Sequence, residues 1–139
     1  MPIIQFSHAN GFPAETYQRF FDFLAPYEVR YVSKFGLGKY KVRNNWQPLV
    51  EELIADIEKR SSAPVVGVGH SLGGVLTLWA AVRRPDLFSQ IVLLDPPIFH
   101  PMKRYPMFAA GLLGLAGKVV PPAKKAKRRR KEFATRQEA

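Results

Sequence analysis

The sequence predicts an α/β fold with a parallel central sheet. Short apolar, β-rich runs alternate with stretches of helical periodicity from residue 3 to residue 97. These runs are apolar enough to be covered by helices on both faces, as parallel strands usually are. The chain has 139 residues, of which 47% are apolar, so it can form a core and is not a wholly disordered segment.

The first half begins with a predicted strand over residues 3–6. Residues 7–13 are predicted to form a loop, because their Asn-Gly and Phe-Pro steps interrupt regular structure. Aromatic residues at helical spacing then predict a helix over residues 14–24, and a second β-rich strand follows over residues 27–33. Residues 35–45 contain glycines and several basic residues, which indicates a surface loop.

The longest helix is predicted to run from a cap at Asn45 to about residue 60. Its apolar residues share one face, which comprises Trp46, Leu49, Val50, Leu53, Ile54 and Ile57. Acidic side chains and a lysine occupy the opposite face, so this helix should pack on the sheet with one side in water.

The remaining core elements are two strands and the helix between them. Residues 65–69 form a strand that is apolar on both faces, and residues 72–83 form a helix that is apolar nearly all round and should be buried. Pro85 ends that helix. A fourth strand over residues 91–94 stops at Asp95, which two prolines follow.

The strongest chemical signal is Gly69-His70-Ser71-Leu72-Gly73, a G-x-S-x-G pattern between a predicted strand and a predicted helix. The glycines allow a tight turn that lifts the hydroxyl of Ser71 above the sheet, where it can act as a nucleophile. The main-chain N–H of Leu72 is then placed to stabilise an oxyanion. The alternative is a glycine-rich turn with an incidental serine.

A second signal is the loop His8-Ala9-Asn10-Gly11-Phe12-Pro13. A loop after a neighbouring strand should supply the second oxyanion N–H, and Asn10 is the candidate donor, with Ala9 next. His8 could be a general base, but it precedes the nucleophile in the chain. We therefore favour a loop histidine that holds the turn by hydrogen bonds.

These two motifs and Val92-Leu93-Leu94-Asp95-Pro96 resemble the α/β-hydrolase superfamily, specifically its capped serine hydrolases of the esterase type. The resemblance implies a three-layer sandwich with a mostly parallel sheet, in which these strands are the family's strands 3 to 6 in the order 4-3-5-6. It also implies a partial hydrolase core over residues 1–97 and an incomplete helical cap with a basic tail over residues 98–139. The chain would then match the N-terminal half of the family fold.

The resemblance leaves the rest of a catalytic triad open. The family's histidine follows its eighth strand, which is not recognisable among the 68 residues after Ser71. Asp95, at the carboxyl end of a strand, is a tentative catalytic acid, or else it braces the exit of that strand. His100 follows in the required order, but we expect an ordinary loop histidine there.

By resemblance, the chain is a serine hydrolase of carboxylic esters or related acyl or carbonyl substrates, with a small-molecule substrate and neither metal nor organic cofactor. The absence of Cys excludes a thiol nucleophile and Cys-ligated zinc. The alternative is a truncated, non-catalytic remnant, because a serine without a base is an alcohol of very low reactivity. The sequence leaves the oligomeric state open.

Charge is concentrated at the end of the chain. The net charge is +10, and residues 118–139 contain nine basic and two acidic residues. This tail could associate with an anionic membrane surface or with nucleic acid, or it could be the solvated face of cap helices. We favour the solvated face and expect no nucleic-acid partner, because the basic run over residues 124–131 contains no aromatic residue for base stacking.

Neither a membrane span nor a secretory signal is recognisable in the sequence. The uncharged stretch over residues 105–117 is too short to cross a bilayer, although weak contact with a membrane surface is allowed. The first residues contain neither a basic nor an apolar segment typical of a signal peptide. We therefore expect a cytoplasmic location.

Overall fold

Four parallel strands and three α-helices make up the part of the chain that the computed structural model describes, residues 1–43 and 45–98. The strands are β1 (Ile3–Ser7), β2 (Glu28–Tyr31), β3 (Val65–His70) and β4 (Phe88–Leu94). The helices are α1 (Gln18–Asp22), α2 (Gln47–Arg60) and α3 (Leu72–Arg83), with 3₁₀ turns at Ala14–Tyr17 and Pro85–Leu87.

The strands form one sheet in the order β2-β1-β3-β4. Every pairing in it is parallel, and Ile4 of β1 lies opposite Val29 on one side and Val66 on the other. In family numbering this order is 4-3-5-6, so the predicted fold class and strand order are confirmed. β1 and β3 are the central strands, and their carboxyl ends lead directly into the two candidate motifs.

Alternating side chains of β1 face opposite layers of the molecule. The buried ring of Phe6 lies 5.0 Å from the ring of Phe21 in α1, measured between centroids. In the opposite direction, Gln5 Nε2 donates to Asp56 Oδ2 of α2 at 3.0 Å. Helical layers therefore cover both faces of the sheet, as the three-layer prediction requires.

The larger core cluster lies between the sheet and the pair α2 and α3. Its buried residues are Phe35, Leu49, Val50, Leu53, Ile57, Val65, Leu76 and Ala80. The four residues from α2 all belong to its predicted apolar face, and full burial of each such side chain contributes about 1.5–3 kcal/mol. Trp46, which was assigned to the same face, lies at the surface and is 37% exposed.

The first two helices begin or end differently from the prediction. The predicted helix over residues 14–24 forms as the 3₁₀ turn followed by the short α1. At α2 the N-cap is Trp46, in a left-handed conformation with φ of 52°, rather than Asn45. The Asn45 side chain contributes only a long hydrogen bond of 3.4 Å, which Gln47 N donates to its Oδ1.

β4 begins three residues earlier than predicted. Phe88 pairs with Val65, and an irregularity then shifts the register so that Gln90 pairs with Val66. The extra polar residue, Ser89, obscured the apolar pattern at the start of the strand. α3 is also less buried than its apolar sequence predicts, since Trp79 is 39% exposed and Val82 is 74% exposed.

Candidate active site

Ser71 occupies a sharp turn between β3 and α3. Its backbone has φ of 52° and ψ of −116°, a combination that non-glycine residues rarely adopt. Hydrogen bonds fix the turn on both sides, because Ser71 N donates to Leu94 O at 2.9 Å and Gly74 N donates to Ser71 O at 3.0 Å. The surrounding main chain therefore holds this residue in its strained conformation, with its side chain half-buried.

Glycines at both ends of the motif allow this turn to close. A β-carbon on Gly69 would lie 2.4 Å from Gly73 O, and one on Gly73 would lie 2.0 Å from Ser7 O. Neither distance is compatible with a side chain. The residue types that the motif requires thus follow from close main-chain packing, and Gly73 brings the start of α3 against the end of β1.

The main-chain N–H of Leu72 is available to a ligand. Leu72 is the first residue of α3, and the first N–H groups of a helix have no intrahelical partner. This N–H has no hydrogen-bond partner among residues 1–43 and 45–98. The N-terminal end of the helix also favours negative charge, so the position suits an oxyanion.

The Ala9 carbonyl fixes the geometry of the loop after β1. It accepts hydrogen bonds from Phe12 N at 3.1 Å and from His8 Nδ1 at 2.8 Å. Because the peptide between Ala9 and Asn10 is trans, the Asn10 N–H points away from this held oxygen. Asn10 is exposed, and its N–H is unpaired within the described ranges, as a second oxyanion donor should be.

His8 has a structural role in this loop. Its ring is buried and has a partner at each nitrogen, since Phe35 N donates to Nε2 at 3.2 Å while Nδ1 donates to Ala9 O. This pattern fixes the neutral ring with its proton on Nδ1. Burial lowers the pKa of His8, although the hydrogen bond to Ala9 acts in the opposite direction. The interpretation of His8 as the residue that holds the turn is confirmed.

Tyr17 links the loop after β1 to the turn after β3. This link was not predicted from the sequence. Its hydroxyl lies 3.3 Å from Ala9 N and 2.8 Å from His70 Nδ1. In the sequence, Tyr17 is only one of the aromatic residues at helical spacing within the helix predicted over residues 14–24. A signal existed in the sequence, namely a tyrosine among phenylalanines, because a buried aromatic ring with a polar tip usually serves a hydrogen bond.

Asp95 lies just beyond β4, at the same end of the sheet as Ser71. The residue before it, Leu94, accepts the Ser71 N–H, and Asp95 itself is exposed with φ of 46°. It makes neither a hydrogen bond nor an ion pair with any described residue. Its assignment as the catalytic acid stays a prediction.

Several predictions concern residues outside the described ranges. These are His100, the helical cap and the basic tail. Within the described ranges, no three His, Cys, Asp or Glu side chains are grouped so that they could hold a metal ion. None of the helices described there has the length and apolar character needed to cross a membrane.

Comparison with known proteins shows which family the chain matches. Residues 6–138 match the family described as the alpha/beta hydrolase family. Among solved structures, a probable hydrolytic enzyme from Pseudomonas aeruginosa PAO1 is similar, with a TM-score of 0.63 and 28% sequence identity. The similarity covers 74% of this chain and 35% of that one.

Curated relatives match shorter segments. Lipase LipV of Mycobacterium tuberculosis is 43% identical over 49 residues, which are 35% of this chain and 19% of that protein. Monoglyceride lipase of Rattus norvegicus is 32% identical over 65 residues, or 44% of this chain and 22% of the relative. The chain therefore matches about a fifth of the length of these two curated relatives.

Proposed function

The chain belongs to the alpha/beta hydrolase family, and we propose that it is a serine hydrolase of carboxylic esters or related acyl substrates. The observation that carries the proposal is the conformation of Ser71, held at φ of 52° and ψ of −116° where a central strand meets a helix. Two similar proteins are named as lipases, which favours esters as the substrate class. The proposed substrate is a small molecule, and the proposed location is the cytoplasm.

The proposed reaction starts with attack of Ser71 Oγ on the carbonyl carbon of the ester. The serine proton passes to a general base, and the carbonyl oxygen becomes an oxyanion held by the N–H groups of Leu72 and Asn10. Collapse of this intermediate expels the alcohol, which takes the proton from the base. Water then cleaves the acyl-enzyme in the same way and regenerates the serine. Removal of one oxyanion donor typically lowers kcat by about 10²–10³-fold.

The general base of this scheme lies outside the described residues. His8 uses both ring nitrogens in the loop, and His70 Nδ1 is bonded to the Tyr17 hydroxyl. We propose Asp95 as the acid that orients a histidine outside the described residues. In this proposal the nucleophile, Ser71, and the oxyanion donors, Leu72 and Asn10, all belong to the described residues.

Covalent labelling tests the proposal. The chain is treated with a fluorophosphonate probe and assayed with a short-chain p-nitrophenyl ester, alongside Ser71→Ala and the matched control Ser62→Ala. Ser62 is an exposed serine in the segment before β3. Labelling and turnover should disappear in Ser71→Ala and persist in Ser62→Ala. Equal labelling and turnover in all three proteins would overturn the assignment of Ser71.

A second candidate is a non-catalytic chain that retains the turn without a base. It is favoured because both ring nitrogens of His8 and Nδ1 of His70 are already engaged in hydrogen bonds. In that case the wild type itself would show neither labelling nor turnover.

Association of the basic tail with anionic surfaces stays a prediction, and its test is salt-dependent binding to acidic vesicles or DNA.

A further inference from the structure

We infer that Tyr17 is a positioning residue that fastens the loop carrying Asn10 to the turn carrying Ser71. It does so by a chain of hydrogen bonds from the Ala9 amide, through the Tyr17 hydroxyl, to the ring of His70. The inference deepens the proposed function and rests on it, because the role of Tyr17 is to position the proposed oxyanion donor, the Asn10 N–H, relative to Ser71.

The chemistry of the groups fixes the direction of the first hydrogen bond and allows a matching direction for the second. A backbone amide can only donate, so the Tyr17 oxygen accepts from Ala9 N at 3.3 Å. The hydroxyl proton is then free to be donated to His70 Nδ1, 2.8 Å away. The neutral His70 ring carries its own proton on Nε2 in this arrangement, and all three groups are satisfied together.

Ring packing holds the Tyr17 hydroxyl in place independently of these bonds. The Tyr17 ring lies 4.7 Å from the ring of Phe6, which is fully buried in β1, and 5.8 Å from the ring of His70 in an edge-on arrangement. It also stacks on Phe21 at 6.4 Å. The hydroxyl is therefore a fixed point, and the Ala9 amide is oriented toward it.

Tyr17 completes the control of the Asn10 N–H. His8 and Phe12 hold the Ala9 oxygen, which fixes the peptide unit that contains the Asn10 nitrogen. The Ala9 N–H belongs to the preceding peptide unit, and Tyr17 fixes that one. With both units held, the donor at position 10 cannot rotate freely when charge develops on a substrate, which is the preorganisation that oxyanion stabilisation needs.

The test compares Tyr17→Phe with Tyr31→Phe in the full chain. Both substitutions remove only a phenol oxygen, and Tyr31 stacks on the same Phe21 ring at 5.3 Å. The Tyr31 hydroxyl makes no hydrogen bond with a described residue, so it is the matched control. Amide hydrogen exchange at Ala9 and Asn10 is measured with ester kinetics and with the ¹⁵N signal of His70 Nδ1.

In Tyr17→Phe the Ala9 amide should exchange about three- to tenfold faster, because one hydrogen bond of ordinary strength is lost. The His70 Nδ1 signal should shift, kcat should fall by about tenfold and KM should stay near the wild-type value. None of these should change in Tyr31→Phe. Unchanged exchange at Ala9, the same increase in both variants, or faster exchange with wild-type kcat would each overturn the inference.

The exchange measurement separates this inference from the proposed function. A wild-type chain without labelling or turnover at Ser71 would overturn the proposed function, and the catalytic purpose of Tyr17 with it. Exchange at Ala9 would still decide whether Tyr17 holds the loop. An active wild type with no exchange difference would overturn the role of Tyr17 alone.

Discussion

Gly73 lies against the main chain of Ser7, and a β-carbon on Gly73 would approach the Ser7 oxygen to 2.0 Å. The first turn of α3 thus touches the end of β1 without a side chain between them. This contact brings the loop of Asn10 and the N–H of Leu72 to the same edge of the sheet. The geometry of the candidate site depends on the absence of a single methyl group.

Gly73→Ala should therefore destabilise the fold by about 3 kcal/mol or more, the upper part of the usual range for overpacking. The measurement is the free energy of unfolding from urea titration. Gly38→Ala is the control, since a β-carbon on Gly38 would meet nothing within 4 Å. If the two variants unfolded at the same urea concentration, the close approach at Ser7 would be refuted.

Ser71→Gly should be more stable than Ser71→Ala. The conformation at φ of 52° and ψ of −116° costs a residue with a side chain about 1–3 kcal/mol, which glycine avoids. Glycine loses about 0.5–1 kcal/mol through its greater freedom in the unfolded chain. We expect a net difference of about 1 kcal/mol in the free energy of unfolding.

The same pair of substitutions at Ser61 provides the control for backbone strain. Ser61 has φ of −133°, an extended conformation that any residue adopts. There the glycine variant should be less stable than the alanine variant. An identical order of stability at Ser61 and Ser71 would show that the turn at Ser71 is unstrained.

Acid should destabilise the fold through His8. Burial lowers the pKa of His8 from its ordinary 6.5, so below that pH the unfolded chain binds the proton more readily than the folded chain. The contribution of neutral His8 to stability is full above about pH 6.5 and is lost as the pH falls through the folded-state pKa. Melting temperatures of the wild type should thus drop between pH 7.5 and pH 5.5.

His8→Gln isolates this contribution from the other titrating groups, because glutamine does not bind a proton in this range. The variant should be less stable than the wild type at pH 7.5 and should lose less on acidification. If the melting temperatures of the two proteins fell by the same amount between pH 7.5 and pH 5.5, His8 would be ruled out as the source of the pH dependence.

Asp56→Ala should cost about 1–3 kcal/mol, because it leaves a buried amide without its acceptor. Gln5 is 2% exposed, and its Nε2 donates to Asp56 Oδ2 at 3.0 Å. Glu51→Ala, at an exposed position of the same helix, should change stability by less than about 0.5 kcal/mol. Equal urea midpoints for the two variants would contradict this role of Asp56.

The features predictable from the sequence were those in which a local pattern carries the physical constraint. The parallel sheet followed from the alternating elements, and the strand order was implied by the family resemblance. The nature of the turn at Ser71 followed from Gly69 and Gly73, whose small size the turn requires. The start of β4 was missed because Ser89 interrupts its apolar pattern at the register shift. Nothing in the composition around Asn45 revealed that Trp46 takes the left-handed position.

Long-range pairing limited what could be inferred about the candidate site. Tyr17 and His70 are 53 positions apart, and no spacing rule connects them. The hydrogen bond at His8 Nε2 likewise depends on where Phe35 lies in three dimensions. Sequence patterns identified the groups that could react and the role of His8 in holding its turn. The partner of His8, Phe35, and the pairing of Tyr17 with His70 became visible only in the fold.

Two hydrogen bonds to the Ala9 oxygen orient the peptide unit that carries the Asn10 N–H. The side chain at position 10 is therefore not needed to orient its own amide. Every amino acid except proline would present the same N–H at this point. Position 10 is thus a place where a library of substitutions could reshape the rim of the candidate site while the proposed donor is retained.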